Sequence, residues 1–367
     1  LSAKLYEEKS KLVYQVHPMP DQILDYVWDY GHLKADERNY IEIMVKTQLN
    51  HPFFAELLCA SQAFIRKVEE PFSVSLRDVK RAIKLFKFFK DKLNQFNYVQ
   101  NNSKIIYPEI RPLVLALSLC YLFRLHDQSQ RKEYRKEMIG IIEKYQIIDE
   151  PRNRKDLFER IISDEQNNYI ERMRCPEGTA KNEALLENIF VMIVSVRIIS
   201  MNLRGADSND SYFRTLPQVY MIPYQGSSSS TSEGITKVFQ TAQNYQQTSS
   251  KENPVTAVVL LDEVGLAETS PYNPLKVLHA LLEPPLGSQS SEPVVPVIGI
   301  SNWRLDNSKS SRALLVQRPL FAENDLADTA RRLLGDIKEI YNIDEFLKKL
   351  AKSYLEYIKN QKYPNFH

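Results

Sequence analysis

The stretch "AVVLLDEVGLAE", residues 257–268, decides how the rest of the chain is read. Five small or apolar residues, Ala257 to Leu261, run without alternation and stop at two adjacent carboxylates, Asp262 and Glu263. A short continuous apolar run of this kind fits a strand of a parallel sheet that is buried on both faces. Open parallel sheets place their ligands at the carboxyl ends of the strands. Two acids at such an end are half of a nucleotide-hydrolysing site: Asp262 can hold Mg²⁺, while Glu263 orients and deprotonates an attacking water.

Working outward, "PQVYMIPYQG" (217–226) and "PVVPVIGISN" (293–302) are further β-branched-rich runs. Helical patterns such as "NPLKVLHALLEPP" (273–285) lie between strands, so strands alternate with helices and predict a mostly parallel sheet. Asn302 closes the last run and can fix the water or a terminal phosphate. Arg312 and Arg318, in "SSRALLVQRP" (310–319), are cations able to reach a phosphate, on this or a neighbouring module, as an arginine finger does. Each residue taken singly has a plainer account. A strand can simply meet its helix cap, Asn is an ordinary turn former, and surface arginines are common. Their order on adjacent predicted strands is what points to a nucleoside triphosphatase. "GSSSSTSEG" (226–234) reads as a polar loop, and "QTAQNYQQTSSKENP" (240–254) as a solvated helix end with its connection.

Residues 1–135 read as helices. In "DQILDYVWDYG" (21–31), Ile23, Leu24, Val27 and Trp28 share a face at helical spacing, and Gly31 offers a stop. "SVSLRDVKRAIKLFKFFKDKL" (73–93) opens on Ser75 and Asp78 in capping-box spacing, with Leu76, Val79, Ile83 and Phe86 as its apolar stripe. "PLVLALSLCYLFRL" (112–125) continues in this style, and residues 127–180 are charged and helical without a catalytic signature. From Asp325 onward helices return, with Leu326, Ala330, Leu333 and Leu334 on one side.

Bulk properties narrow the class. The chain has 367 residues, enough for two or three packed units. Its 48 basic and 46 acidic residues leave a formal charge of +2, which points neither to nucleic acid nor to an anionic membrane. Ten glycines suit a helix-rich protein with few tight turns. Cys59, Cys120 and Cys175 form no CxxC pair, so neither zinc nor a disulfide framework is expected, and a reducing compartment is. The histidines show no metal-ligand spacing, and the sequons at Asn101 and Asn209 are read as chance matches. "IFVMIVSVRIISMNL" (189–203) is interrupted by Arg197 and is too short for a membrane span, so it reads as a buried helix. The opening "LSAKLYEEKS" shows no leader pattern, and a piece of a longer chain is expected.

Taken together, "VVLLDEVGLAETSPYNPLKVLHALLEP" (258–284) and "VIGISNWRLDNSKSSRALLVQRP" (297–319) closely resemble the mysterin family, giant RING-finger proteins with a dynein-like AAA+ core. The resemblance is strongest over 255–333, good over 12–90 and 181–245, and looser between. It implies an α/β fold of the AAA+, P-loop NTPase-like kind, a parallel sheet with flanking helices, preceded by a helical lid. Asp262 and Glu263 would be the Walker B pair, Asn302 the sensor-1 residue, Arg318 the first finger candidate and Arg312 the second. "KLVYQVHPMPDQILDYVWDYGHL" (11–33) and "PFSVSLRDVKRAIKLFKFF" (71–89) resemble the closing lid of the preceding module. Arg77 would then be that module's sensor-2 arginine; on spacing alone it belongs to a solvated basic face with Lys80, Arg81, Lys84 and Lys87. The implied organisation is a helical lid over 1–135, a helical connection over 136–180, an AAA+ core over 181–324, and the start of a second lid over 325–367.

One part of the implied site is missing. A phosphate-binding loop needs a glycine-rich turn and a Lys that reaches the phosphates. None of the ten glycines precedes Lys, and no Lys-Ser or Lys-Thr pair has a glycine just upstream. In the family, a helix like "NEALLENIFVMIVSV" (182–196) leads into a strand and the loop, then a helix like "RIISMNL" (197–203). Here Val196 runs straight into Arg197, and roughly twenty residues, a strand plus its loop, are expected to be lacking there. Either the two residues lie far apart in space around an omitted segment, or the chain truly lacks it and nucleotide affinity falls to almost nothing.

The expected function is therefore a fragment of the AAA+ ATPase core of a mysterin-like E3 ubiquitin ligase. ATP and Mg²⁺ are the implied cofactors, neighbouring AAA+ modules and the ubiquitin machinery the implied partners, and the cytoplasm the implied location. No RING cysteines occur here, so ubiquitin transfer would reside elsewhere in the parent. The alternatives are a nucleotide-free scaffold with Walker B relics, and a remodelling ATPase of the MoxR or midasin kind.

Overall fold

The computed structural model describes residues 20–28, 37–49, 51–71, 73–95, 110–145, 156–171, 178–199, 218–249, 255–282, 295–302, 305–334 and 343–360. Gly31, Cys175, Asn101 and Asn209 lie outside them.

Apolar periodicity builds the first unit. After a one-turn helix α1 (Asp21–Leu24) come α2 (Glu37–Leu49), α3 (Pro52–Val68), α4 (Leu76–Gln95) and α5 (Arg111–Leu117), the last continued by a π-helical turn over Ser118–Leu122. Then follow α6 (Gln128–Lys144), α7 (Leu157–Ile170) and α8 (Glu183–Ile199). Helix α4 starts as its sequence predicts: the Asp78 carboxylate accepts from the Ser75 amide at 2.8 Å, and the Arg77 amide donates to Ser75 Oγ at 3.3 Å. Its stripe of Val79, Ile83 and Phe86 is buried. One apolar cluster runs from Ile41 to Val194, so helices α2 to α8 share a single core.

Charge is also buried here. The Glu165 carboxylate takes Arg111 Nη2 at 2.7 Å and the Lys92 ammonium, which also meets Tyr169 Oη at 2.6 Å. Burial alone pushes this carboxyl up, but the two cations outweigh it and bring it down to about 2. Arg131, 1 % exposed, joins α6 to α8 through Glu187 (2.5 and 3.1 Å) and Glu183 (3.2 Å).

The second unit is a parallel sheet in the order β1 (Gln218–Gln225), β2 (Val255–Asp262), β3 (Val297–Gly299). Helix α9 (Ser232–Thr248) connects β1 to β2 and packs Ile235, Phe239 and Ala242 against Ala257, Val259 and Leu261 of the central strand. Thr256 and Val258 on the opposite face of β2 are buried as well, which is why the run shows no alternation. After β2 come α10 (Val264–Glu268), a 3-10 turn over Pro274–Val277 and α11 (Leu278–Leu281). After β3 comes α12 (Asn307–Ser310), and then α13 (Glu323–Leu333) and α14 (Ile343–Asn360) pair around Ala327, Leu347 and Ala351.

Three local expectations are corrected. The periodicity of residues 23–28 does not make a full helix: α1 stops at Leu24, and Ile23, Val27 and Trp28 (83 % exposed) find no packing surface among the described residues that would stabilise more than one turn. The "GSSSSTSEG" stretch is a loop only to Ser230; Thr231 caps α9 by accepting from the Gly234 amide at 3.2 Å, and Ser232 onward is helical. Leu333 points away from the α13–α14 cluster and is exposed.

The two units are joined by an extended segment. The Gln317 amide donates to the Phe123 carbonyl (2.9 Å) and the Leu320 amide to the His126 carbonyl (3.1 Å). His126 Nδ1 donates to the Arg318 carbonyl (2.6 Å), and Leu314 and Val316 pack on the first unit's core.

Candidate functional site

Parallel register brings the strand ends level: Gln225 lies opposite Asp262, and Leu261 opposite Gly299. Pairing continues past β3, with the Ile300 amide donating to the Leu261 carbonyl (2.9 Å) and the Val264 amide to the Ile300 carbonyl (3.0 Å). Glu263 is squeezed between these two bonds and takes a left-handed conformation, φ 49° and ψ 43°. For a residue with a side chain this costs of the order of 1–3 kcal/mol, and such strain concentrates at functional sites. The Asp262 carboxylate steadies the turn by accepting from the Glu263 amide at 2.9 Å.

The turn aims the Glu263 carboxylate at Asn302, whose Nδ2 donates to its two oxygens at 3.0 and 3.2 Å. Asp262, Glu263 and Asn302 thus meet at one sheet edge. Asp262 and Glu263 are half-buried and Asn302 is exposed, so the edge opens to solvent. This set can bind a hard cation through a carboxylate and hold a polarised water through a carboxylate and an amide.

The arginines are placed elsewhere. Arg312 turns back on α12 and donates to the Ser308 carbonyl. The Arg318 guanidinium lies over the Phe321 ring, 4.0 Å from its centroid. Arg77 is at the start of α4. One turn later Arg81 donates to the Ser311 carbonyl at 2.6 Å, so this end of α4 adjoins the segment that carries Arg312.

Sequence reasoning missed four residues around the acids. Gly226, just past β1, donates its amide to the Asp262 carbonyl at 2.8 Å. A Cβ there would lie 2.3 Å from the Glu263 carbonyl oxygen, so no other residue fits without displacing the acidic turn. Its position between strand and loop was the available signal. Behind the site, Lys309 Nζ is held by Glu268 Oε1 at 2.9 Å and by the Asp306 carboxylate. Burial pushes the Asp306 carboxyl up, but hydrogen bonds from Lys309 and Ser308 overcome this and bring it down to about 2. In sequence these three look like ordinary surface charges.

Helix α8 runs unbroken through Val196 and Arg197. Among the described residues β3 pairs only with β2, and Ile300 beyond it is 52 % exposed. No helix among them is long and apolar enough to cross a membrane.

Comparison with known proteins adds the family context. Residues 194–325 match the domain family described as the RNF213 AAA domain. Over 397 aligned positions the chain is 32% identical to the E3 ubiquitin-protein ligase RNF213 of Homo sapiens, an alignment covering 96% of this chain and 7% of that protein. It is 31% identical over 385 positions to E3 ubiquitin-protein ligase rnf213-beta of Danio rerio, covering 95% and 7%. For RNF213 of Mus musculus the values are 31% over 392 positions, 94% and 7%. The chain therefore spans about 7% of the length of the curated relatives it matches. Each alignment is longer than the 367 residues of the chain, so each relative carries residues within this span that the chain lacks.

Proposed function

The chain belongs to the mysterin family, that of the RNF213 proteins, as a segment of its AAA core, and on that premise we propose that it holds the water-handling half of an ATP-hydrolysing site. The observation that carries this reading is the contact of Asn302 with both oxygens of a strained Glu263, beside Asp262. In the parent protein, ATP binding and hydrolysis here would drive conformational change or assembly of a cytoplasmic E3 ubiquitin ligase. Neighbouring AAA+ modules of the same chain, and the ubiquitin machinery engaged by other domains, are its partners.

The roles follow from position. Asp262 would hold Mg²⁺ through water, and bound Mg²⁺ would neutralise charge on the phosphates. Glu263 takes the proton of the attacking water, and Asn302 keeps that carboxylate and water in line. Arg318, with Arg312 as second candidate, serves as a finger toward a nucleotide on a neighbouring module. Arg77 would serve the nucleotide of the core upstream, as its sensor-2 arginine.

These side chains suit the metal and the water, but the chain offers no glycine–lysine loop to hold phosphates. We place the relatives' extra residues, in part, at the Val196–Arg197 junction, where they would supply a strand beside β3 and the loop. The same lack favours a second reading, a nucleotide-free scaffold. Thermal unfolding with and without Mg-ATP separates the two. A melting shift at millimolar Mg-ATP that survives Glu263→Gln, with turnover lost in that variant, supports the site; a flat response supports the scaffold.

A further inference from the structure

We propose that Lys309 is a positioning residue for the Glu263–Asn302 pair, which it sets through a buried clamp with Glu268 and Asp306. This rests on the reading of that pair as the hydrolytic one. Both partners sit just past the ends of their strands, at the edge of the sheet. Glu263 leads directly into α10, which ends at Glu268, while Asn302 is followed by α12, which contains Lys309. Helices of five and four residues cannot hold their own direction in water. Something outside them has to fix the angle between the two segments.

The Lys309 ammonium does this. It bridges Glu268 Oε1 at 2.9 Å and the Asp306 carboxylate, and the Asp306 amide adds a longer contact to the same Glu268 oxygen at 3.4 Å. The side chains of Lys309, Glu268 and Asp306 are 5 %, 7 % and 12 % exposed, so the attraction acts in a dry environment where geometry is enforced strongly. Asp306 Oδ1 also accepts from Ser308 Oγ (2.5 Å) and the Lys309 amide (3.1 Å), which locks the turn that starts α12. Ser308 Oγ in turn contacts His279 Nε2 of α11 at 3.3 Å. The clamp thus joins the two segments a few residues beyond the point where the site pair meets. With the sheet pairing on the other side of that pair, Glu263 and Asn302 are held between two fixed points.

The test reads the Asn302 side chain directly in the 367-residue chain by ¹⁵N NMR, the Asn302→Asp variant identifying its amide signal. In Lys309→Met, and in Asp306→Asn as a gentler variant, the Asn302 amide signal is expected to move toward its position in Glu263→Ala, where its acceptor is gone. Lys309→Arg, which keeps the charge, is expected to keep the native position. A signal that stays native in both Lys309→Met and Asp306→Asn, with the far-UV dichroism unchanged, overturns the proposal. If Lys309→Met does not fold, the comparison of Asp306→Asn with Lys309→Arg decides. The readout involves no nucleotide. Failure of the hydrolytic reading appears separately, as turnover of the parent protein that is insensitive to Glu263→Gln.

Discussion

Gly226 and Glu263 are in such close apposition that a methyl group on the glycine would stand 2.3 Å from the glutamate's carbonyl oxygen. The strand preceding the acidic one thus shapes the backbone that carries the acids, without contributing a functional side chain.

Substituting Gly226 by Ala must therefore displace the Asp262–Glu263 peptide. We expect a loss of about 1–3 kcal/mol, the usual cost of forcing atoms into a packed site. Gly140, inside α6, is the control, because a Cβ there meets nothing within 4 Å. Gly140→Ala should stabilise by about 0.5–1 kcal/mol through the helix preference of alanine. Urea unfolding of both variants checks the contrast, and equal effects would contradict it.

Glu165 makes stability depend on acid. Its carboxyl titrates at about 2 in the fold, below the ordinary 4.5, despite a burial that alone would raise it, because Lys92 and Arg111 hold it ionised. A depressed folded value means that the unfolded chain binds the proton first. The contribution is complete above about 4.5 and is lost as pH falls toward about 2. Glu165→Gln should lower stability at neutral pH and flatten the pH dependence across that window. Denaturant midpoints measured between these limits test it.

Arg131 ties α8 to α6 and also reaches the Gln317 carbonyl at 3.4 Å. Arg131→Met should cost about 3–5 kcal/mol, since Glu187 is left buried without its cation. Adding Glu187→Met should recover most of that loss. In the single variant, hydrogen exchange at the Gln317 and Leu320 amides should accelerate, because the segment carrying Arg318 is held partly by this contact. Unchanged exchange at both amides would show that the segment is anchored by the backbone pairs and His126 alone.

Much of this architecture is legible in the amino-acid order, for identifiable reasons. The central strand announces itself because burial on both faces demands an uninterrupted run of apolar and small residues, as in residues 255–261. Strands β1 and β3 are legible from their β-branched and aromatic composition, although β1 is largely exposed. Helix α4 is legible because its cap and stripe are local. Trp28 and Leu333 misled because periodicity describes what could be buried, while burial needs a partner surface that only the fold supplies. Lys309 was illegible for the complementary reason. Its partners Glu268 and Asp306 are 41 and 3 residues away, and nothing local distinguishes a clamped lysine from a solvated one. The αL turn at Glu263 was hidden likewise, since it arises from pairing with Ile300 across the sheet.

The most direct measurement is ATP turnover by a version of the chain in which the extra residues of a relative are grafted between Val196 and Arg197. With the phosphate-holding loop supplied, the graft should hydrolyse Mg-ATP, and Glu263→Gln in it should cut the rate by about 10²–10⁴-fold while leaving ATP binding in place. A graft that binds Mg-ATP and turns it over equally fast with and without the Glu263→Gln substitution would show that the acid at this sheet edge is not the one that activates water.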